Sequence, residues 1–148
     1  MEYQLKALGR EAFAAVKALF ASVFTQDPWN DDWSDEQRLE LYIQDLTGQS
    51  NSLTFGLYQG EELVGVAMGH TKHWYTGTEY CVDELCISRE KQGKGLGRLF
   101  VQEMEKACRA LGLTYIFLLT DNDVPAYGFY QRLGFYKLEN NVAFAKKL

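Results

Sequence analysis

The chain is poor in cysteine, has no long apolar run and carries no excess of positive charge. Cys81, Cys86 and Cys108 are odd in number and lack metal-ligand spacing. A disulfide framework and a zinc site are therefore not expected. Each cysteine lies in an apolar-periodic segment, which predicts buried free thiols in a reducing, cytoplasmic setting. No apolar stretch reaches the roughly 18 residues needed to cross a bilayer. The start, Met1-Glu2-Tyr3-Gln4, does not read as a signal peptide. No membrane partner is expected. The net charge of −5 weighs against nucleic acid, which selects clustered Lys and Arg, and fits a cationic partner better.

What is present suits one globular domain over residues 1–148, since 47% of the residues are apolar and 24% charged. Tyr3 to Leu8 alternates as a strand. Arg10 to Thr25 carries Phe13, Val16, Leu19, Phe20, Val23 and Phe24 at helical spacing, and Asp27-Pro28 ends it. Ser34-Asp35-Glu36-Gln37 reads as a capping box opening a helix through Leu46, with Leu39, Tyr42, Ile43 and Leu46 on one face. Strands are expected at Leu53–Tyr58, Leu63 to about Trp74 and Glu79–Ser88, joined by tight turns. A helix over Leu96–Leu111 should present Leu99, Phe100, Met104, Ala107, Cys108 and Leu111 to a core. Tyr115–Leu119 reads as a buried strand from its unbroken apolar run. Pro125 opens a short helix to Leu133, and Phe135–Leu138 with Val142–Lys146 suggests a closing hairpin. The order β-α-α-β-β-β-α-β-α-β-β predicts an α/β fold with a mixed central sheet.

The most informative segment lies between the fourth expected strand and the Leu96 helix. Gln92-Gly93-Lys94-Gly95-Leu96-Gly97-Arg98 is a glycine-rich turn at a helix N-terminus. Uncovered N–H groups there, with the helix dipole, suit a phosphate. Lys94, Arg98 and Gln92 add side-chain donors. A P-loop is excluded because no Ser or Thr follows Gly-Lys. Gly93, Gly95 and Gly97 give G-x-G-x-G, which departs from the dinucleotide fingerprint. A second motif, Ala126-Tyr127-Gly128-Phe129-Tyr130-Gln131-Arg132-Leu133-Gly134-Phe135, follows downstream.

Together the two motifs resemble the GNAT (GCN5-related) N-acetyltransferases, loosely their aminoglycoside N-acetyltransferase group. The resemblance implies that the fourth and fifth strands splay apart and that acetyl-CoA is the cosubstrate. Its phosphates would lie on the backbone from Gln92 to Arg98, and its pantetheine arm along Leu85, Cys86 and Ile87. A backbone N–H near Leu85 or Cys86 would hold the oxyanion. The family often has Asn seven residues before the helix tyrosine; here that position is Asp123, preceded by Asn122, and either supplies the contact. The resemblance makes Tyr130 the general acid toward the departing sulfur.

An alkylammonium has a pKa of about 10 and must lose a proton before it attacks a thioester. Glu84 on the fourth strand is the candidate base, with Asp83 and Glu79 as alternatives. Strand alternation puts Glu84 with Cys86 on one face, and Asp83, Leu85 and Ile87 on the other. It also sends Cys81 and Cys86 to opposite faces. His70 and His73 likewise face opposite ways, so no metal is expected. Trp29, Asp32 and Trp33, in an acidic segment between the first two helices, suit an organic cation. Trp74 and Tyr75 would form the opposite wall, with Asp83 as a further contact. The expected activity is acetylation of a small cationic amine. The alternatives are a protein lysine or N-terminal acetyltransferase and a non-catalytic CoA-binding module. A homodimer is compatible with either enzyme.

Overall fold

A computed structural model describes residues 2–148. Strand β1, Tyr3–Leu8, leads through a short 3-10 turn at Arg10–Ala12 into helix α1, Phe13–Phe24. Helix α2 spans Glu36–Thr47. Its cap is Asp35, whose carboxylate accepts from the Arg38 N–H at 3.1 Å, one residue later than the Ser34 capping box predicts. Strands β2, Ser52–Gln59, β3, Glu62–Trp74, and β4, Gly77–Ile87, follow. Helix α3 spans Leu96–Ala110, β5 Tyr115–Leu118 and α4 Pro125–Arg132.

The five strands form one sheet in the order β1-β2-β3-β4-β5. The first four pair antiparallel, and β4 pairs with β5 in parallel. Helix α3 covers one face. Its Leu96, Phe100, Met104 and Cys108 pack on Phe55, Leu57, Ala67, Tyr80, Val82 and Ile87. Leu111, expected in that core, is exposed beyond the helix end. Helices α1 and α2 cover the other face, packing Val16, Phe20, Val23, Leu39 and Ile43 on Val66, Met68 and Cys86. All three cysteines are free and buried.

Two features of β4 position everything that follows. The first is a bulge. Met68 pairs with Glu84 and Gly69 with Val82, so Asp83 has no partner on β3. One unpaired residue reverses the alternation beyond it. Tyr80 and Val82 face α3, yet so do Leu85 and Ile87, while Cys86 faces α1 and α2. The expected faces are thus corrected: Asp83 shares the α1/α2 side with Glu84, and Cys81 lies on the same side as Cys86. The second feature is divergence. Pairing with β5 stops at Val82 and Leu118, leaving Asp83 to Ile87 without a strand on that side.

The C-terminal expectation is also corrected. Residues 135–148 form no strand, although a turn closes with the Asn141 N–H donating to the Leu138 carbonyl at 3.2 Å. A two-stranded ribbon with both faces in water has too little burial to hold itself. Strand β5 is correspondingly an edge strand, with Tyr115 and Leu119 exposed rather than buried. An unbroken apolar run does not distinguish a doubly covered strand from an uncovered edge.

The bulge depends on Gly69, where an added Cβ would sit on the Cys81 carbonyl oxygen and 2.8 Å from the Tyr80 ring. Gly69→Ala is predicted to destabilise the fold by about 1–3 kcal/mol through this overpacking. An unchanged urea midpoint would show that the bulge relaxes freely.

Candidate active site

The turn before α3 has the geometry of an anion site. Gly93 and Gly95 adopt φ of 76° and 79°, the left-handed region that penalises side chains. No atom lies within 4 Å of a Cβ placed at either one, so the loop opens to solvent. Gly95 is the N-cap of α3, and no side chain among the described residues caps the helix. The first-turn N–H groups therefore lack intrahelical partners and lie at the positive end of the dipole. Lys94 and Arg98 are exposed beside them. Gln92 is committed elsewhere: its Nε2 donates to the Ile87 carbonyl at 2.9 Å, bracing the loop on the end of β4. Arg89 ties the same loop to the α1–α2 segment, with Nη1 donating to the Asp27 carbonyl at 2.9 Å.

Glu84 stands where β4 has left β5. It is partly buried, and burial raises its pKa above the ordinary carboxylate range. Tyr42, on α2, opposes this by donating its hydroxyl to Glu84 Oε2 at 2.5 Å. The nearby charges of Asp31 and Asp83 add to the upward shift. Asp83 also meets His70 Nδ1 at 3.2 Å. Three carboxylates, Asp31, Asp83 and Glu84, thus share the α1/α2 side of the bulge. Burial and the charge of Glu84 push the Tyr42 hydroxyl far up, so it stays a donor.

Tyr130 comes from α4. Its ring sits edge-on between Phe129 and Phe135, at centroid distances of 5.2 and 5.3 Å. Burial, then the charge of Glu84, pushes its hydroxyl up to about 12. The charge of Glu84 is thus felt at the Tyr130 hydroxyl across the space where β4 and β5 part. Phe129 reaches the α3 N-terminus, where a Cβ on Gly97 would meet its ring at 3.0 Å.

The remaining expected residues divide. Trp33 is an internal support: it stacks on Tyr42 at 5.1 Å and meets Phe20 edge-on at 5.6 Å. Its indole Nε1 is buried with no partner among the described residues. Trp29 leans edge-on against Phe24 at 5.0 Å. Asp32 accepts from the Ser34 backbone and hydroxyl, closing a local turn. Asn122 and Asp123 are exposed in the loop between β5 and α4. Trp74 and Tyr75 cap the exposed β3–β4 hairpin tip, roughly 20 Å along the strand from Glu84 at the usual rise per residue. They are not brought to this site. Among the described residues no group of three His, Cys, Asp or Glu side chains could hold a metal ion. A separate hollow of about 470 Å³, lined by Leu8, Arg10, Phe13 and Gln44, includes neither Glu84 nor Tyr130. Tyr42 and Asp31 were not legible as site residues. Helical spacing assigns Tyr42 to a buried face but does not name its partner, and nothing in the sequence marks Asp31 apart from its acidic neighbours.

A strand pair that parts, a glycine turn and an uncapped helix N-terminus thus follow one another along the chain, with Glu84 on the unpaired stretch of β4. The chain belongs to the acetyltransferase (GNAT) family, whose model matches residues 3–135. It is 32% identical over 107 residues to the Bacillus subtilis (strain 168) protein YxbD, covering 65% of this chain and 67% of that protein. The fold is similar to that of a possible acetyltransferase from Clostridium difficile 630, with a TM-score of 0.82 and 11% identity over 100% of this chain and 99% of that one. It is also similar to the aminoglycoside acetyltransferase meta-AAC0020, from an uncultured soil metagenomic sample and solved with sisomicin. That match has a TM-score of 0.74 and 18% identity over 99% of this chain and 96% of the other. The mixed α/β sheet is the one these acetyltransferases share.

Acetyl-CoA is predicted to raise the unfolding midpoint of the native protein, and Gly95→Val to abolish that rise. The branched side chain would fill the space above the loop, and the left-handed backbone adds a cost of roughly 1–2 kcal/mol to the unliganded fold. Differential scanning fluorimetry with and without millimolar acetyl-CoA reads both effects. A folded Gly95→Val protein with an undiminished rise would remove the loop from the site.

Proposed function

We propose that this chain, as one acetyltransferase domain, moves an acetyl group from acetyl-CoA to the primary amine of a small cationic acceptor. The observation that carries the proposal is Glu84, held by the Tyr42 hydroxyl on the stretch of β4 that has parted from β5, with its charge felt at the buried Tyr130 hydroxyl. Acetyl-CoA supplies the activated acetyl group. The residues supply proton control and charge. Glu84 takes the proton that the ammonium must lose before its nitrogen attacks. Only Oε2 accepts from Tyr42, which leaves Oε1 for the amine. The raised pKa makes Glu84 a stronger base than an exposed carboxylate.

Tyr130 faces the leaving group. With a pKa pushed up to about 12, it is protonated at neutral pH and available as a donor. A thiol of ordinary acidity, near 8.5, is much the stronger acid. Complete transfer from the phenol to the thiolate would run uphill by roughly 5 kcal/mol at 1.36 kcal/mol per unit. Tyr130 therefore acts chiefly by a hydrogen bond to the developing thiolate, and solvent completes the protonation. The carboxylates of Asp31 and Asp83 favour a cationic acceptor on the α1/α2 side. The sisomicin-bound relative agrees with that reading at the level of ligand class. A panel of aminoglycosides, polyamines and lysine peptides, with thiol release as readout, tests it. Turnover confined to the lysine peptides would favour a protein acceptor instead.

Tyr130→Phe is predicted to keep acetyl-CoA affinity and to lower kcat by roughly 10²-fold, the range for losing one aimed donor. Glu84→Gln is predicted to lower turnover at neutral pH and to recover in part at high pH, where more amine is already free. An unchanged rate in either variant assigns that role elsewhere.

Tyr42→Phe gives a separate signature. Its hydrogen bond lowers the pKa of Glu84, so losing it raises that pKa further. The base then ionises only at higher pH. The acidic limb of the kcat/KM profile is predicted to move to higher pH, with activity retained on the alkaline side. A profile that falls uniformly without moving would reduce Tyr42 to a packing residue.

A further inference from the structure

The hollow beside the starts of α1 and the end of α2 is built on the same row of the sheet as Glu84, yet stands apart from it. Leu8 pairs with Thr54, Thr54 with Met68 and Met68 with Glu84, so the four cross one face in register. At the usual strand spacing, two strands put roughly 10 Å between the main chains of Thr54 and Glu84. The fully buried Met68 side chain separates them. The volume of about 470 Å³ is in the range of small-molecule sites.

Thr54 is the first sign of a ligand. It lines the hollow, is only 5% exposed, and its hydroxyl has no hydrogen-bond partner among the described residues. A buried hydroxyl ordinarily has a partner, and here the hollow is where one can stand. The second sign is charge of both signs. Arg10 lines the hollow just before α1 and forms no ion pair among the described residues. Its neighbour Glu11 is turned onto the Gly9 N–H at 3.0 Å instead. From α2 come Glu40 and the helix C-terminus at Thr47, the negative end of the dipole. Lys17 lies 3.8 Å from Glu40 but is held closer, at 2.8 Å, by Glu36. Leu8, Phe13 and Val16 supply apolar surface.

We propose that this hollow is a second ligand site, and that it takes a small zwitterion with an apolar side chain, an α-amino acid of the leucine type. The carboxylate meets Arg10, the ammonium meets Glu40 and the α2 terminus, and the hydrocarbon packs on Phe13 and Val16. The Thr54 hydroxyl both donates and accepts, so it can bond to either head group. The two charges select the class: a plain anion would face Glu40, and a plain cation would face Arg10. The site is independent of the acetyl-transfer reading, since it uses neither Glu84, Tyr130 nor the glycine turn.

Calorimetric titration of the full chain, without acetyl-CoA, tests this with leucine, 4-methylpentanoate and 3-methylbutylamine. The three share a branched hydrocarbon and carry both charges, the negative one alone or the positive one alone. Leucine is expected to bind, to raise the unfolding midpoint, and to bind roughly tenfold or more tighter than either analogue, the weight of one charge-assisted contact. Arg10→Ala, an exposed change that leaves the core intact, is expected to weaken leucine by a similar factor. Thr54→Val keeps the shape of the floor, removes the hydroxyl and should also weaken it. Glu84→Gln should leave leucine affinity unchanged. No heat and no midpoint shift at millimolar leucine overturns the proposal. An analogue that binds as tightly as leucine refutes the zwitterion. Leucine binding that survives Arg10→Ala and is lost in Glu84→Gln would place the ligand beside Glu84 and remove the second site.

Discussion

Opposite Met68 and Gly69, β4 carries one residue more than regular pairing allows, and the candidate site depends on that extra residue. Without the bulge, Asp83 would point into the α3 core, where an ionised carboxylate would cost several kcal/mol to bury. With it, Asp83 and Glu84 project to the same side, toward α2 and the acidic α1–α2 segment. A bulge also bends its strand and increases local twist. Pairing of β4 with β5 ends at Val82, immediately before Asp83. The re-aimed carboxylates and the gap therefore begin at the same point of the chain. Gly69 is what permits the close approach, because no Cβ separates β3 from the Cys81 carbonyl.

The parts of this arrangement that were legible in the sequence are those with local periodicity. Strand β1 and helix α3 could be bounded from alternation and from the glycines before Leu96, because the same short-range rules that make the pattern also make the element. Glu84 could be assigned to the face of Cys86 by counting back from Ile87, since that count does not cross the bulge. Asp83 and Cys81 lie beyond it and were placed on the wrong side. A bulge is fixed by pairing with a distant strand, and alternation within one strand carries no record of it.

The same distinction explains Tyr42 and the C-terminus. Helical spacing correctly gave Tyr42 an inward face, but a helix face does not state what it meets, and Glu84 is 42 residues away in sequence. Trp33 offered indole and acidic neighbours suited to a cation. Its position against Phe20 and Tyr42 makes it instead a brace for the residue that holds Glu84. The terminal hairpin had the right turn and the right alternation. A strand needs a partner as well as a pattern, and here the pattern is met while none of the described residues pairs with it.

Charge is divided along β4 in a way that fits the proposed reaction. Before its end, the bulge gathers Asp31, Asp83 and Glu84 on the α1/α2 side. After its end, the turn through Gly93 and Gly95 leads to the positive terminus of α3, with Lys94 and Arg98 beside it. A polyanionic carrier and a cationic acceptor would therefore each be favoured at one end and disfavoured at the other. In the proposed reaction the two would meet along the unpaired stretch from Asp83 to Ile87, which lies between those ends. There Glu84 is subject to opposing influences: burial and neighbouring acids strengthen it as a base, while the Tyr42 hydrogen bond favours its ionised form and orients it. An approaching ammonium would weaken its basicity further by stabilising the carboxylate. The upward shift from burial is what leaves enough basicity for proton removal once the acceptor is bound.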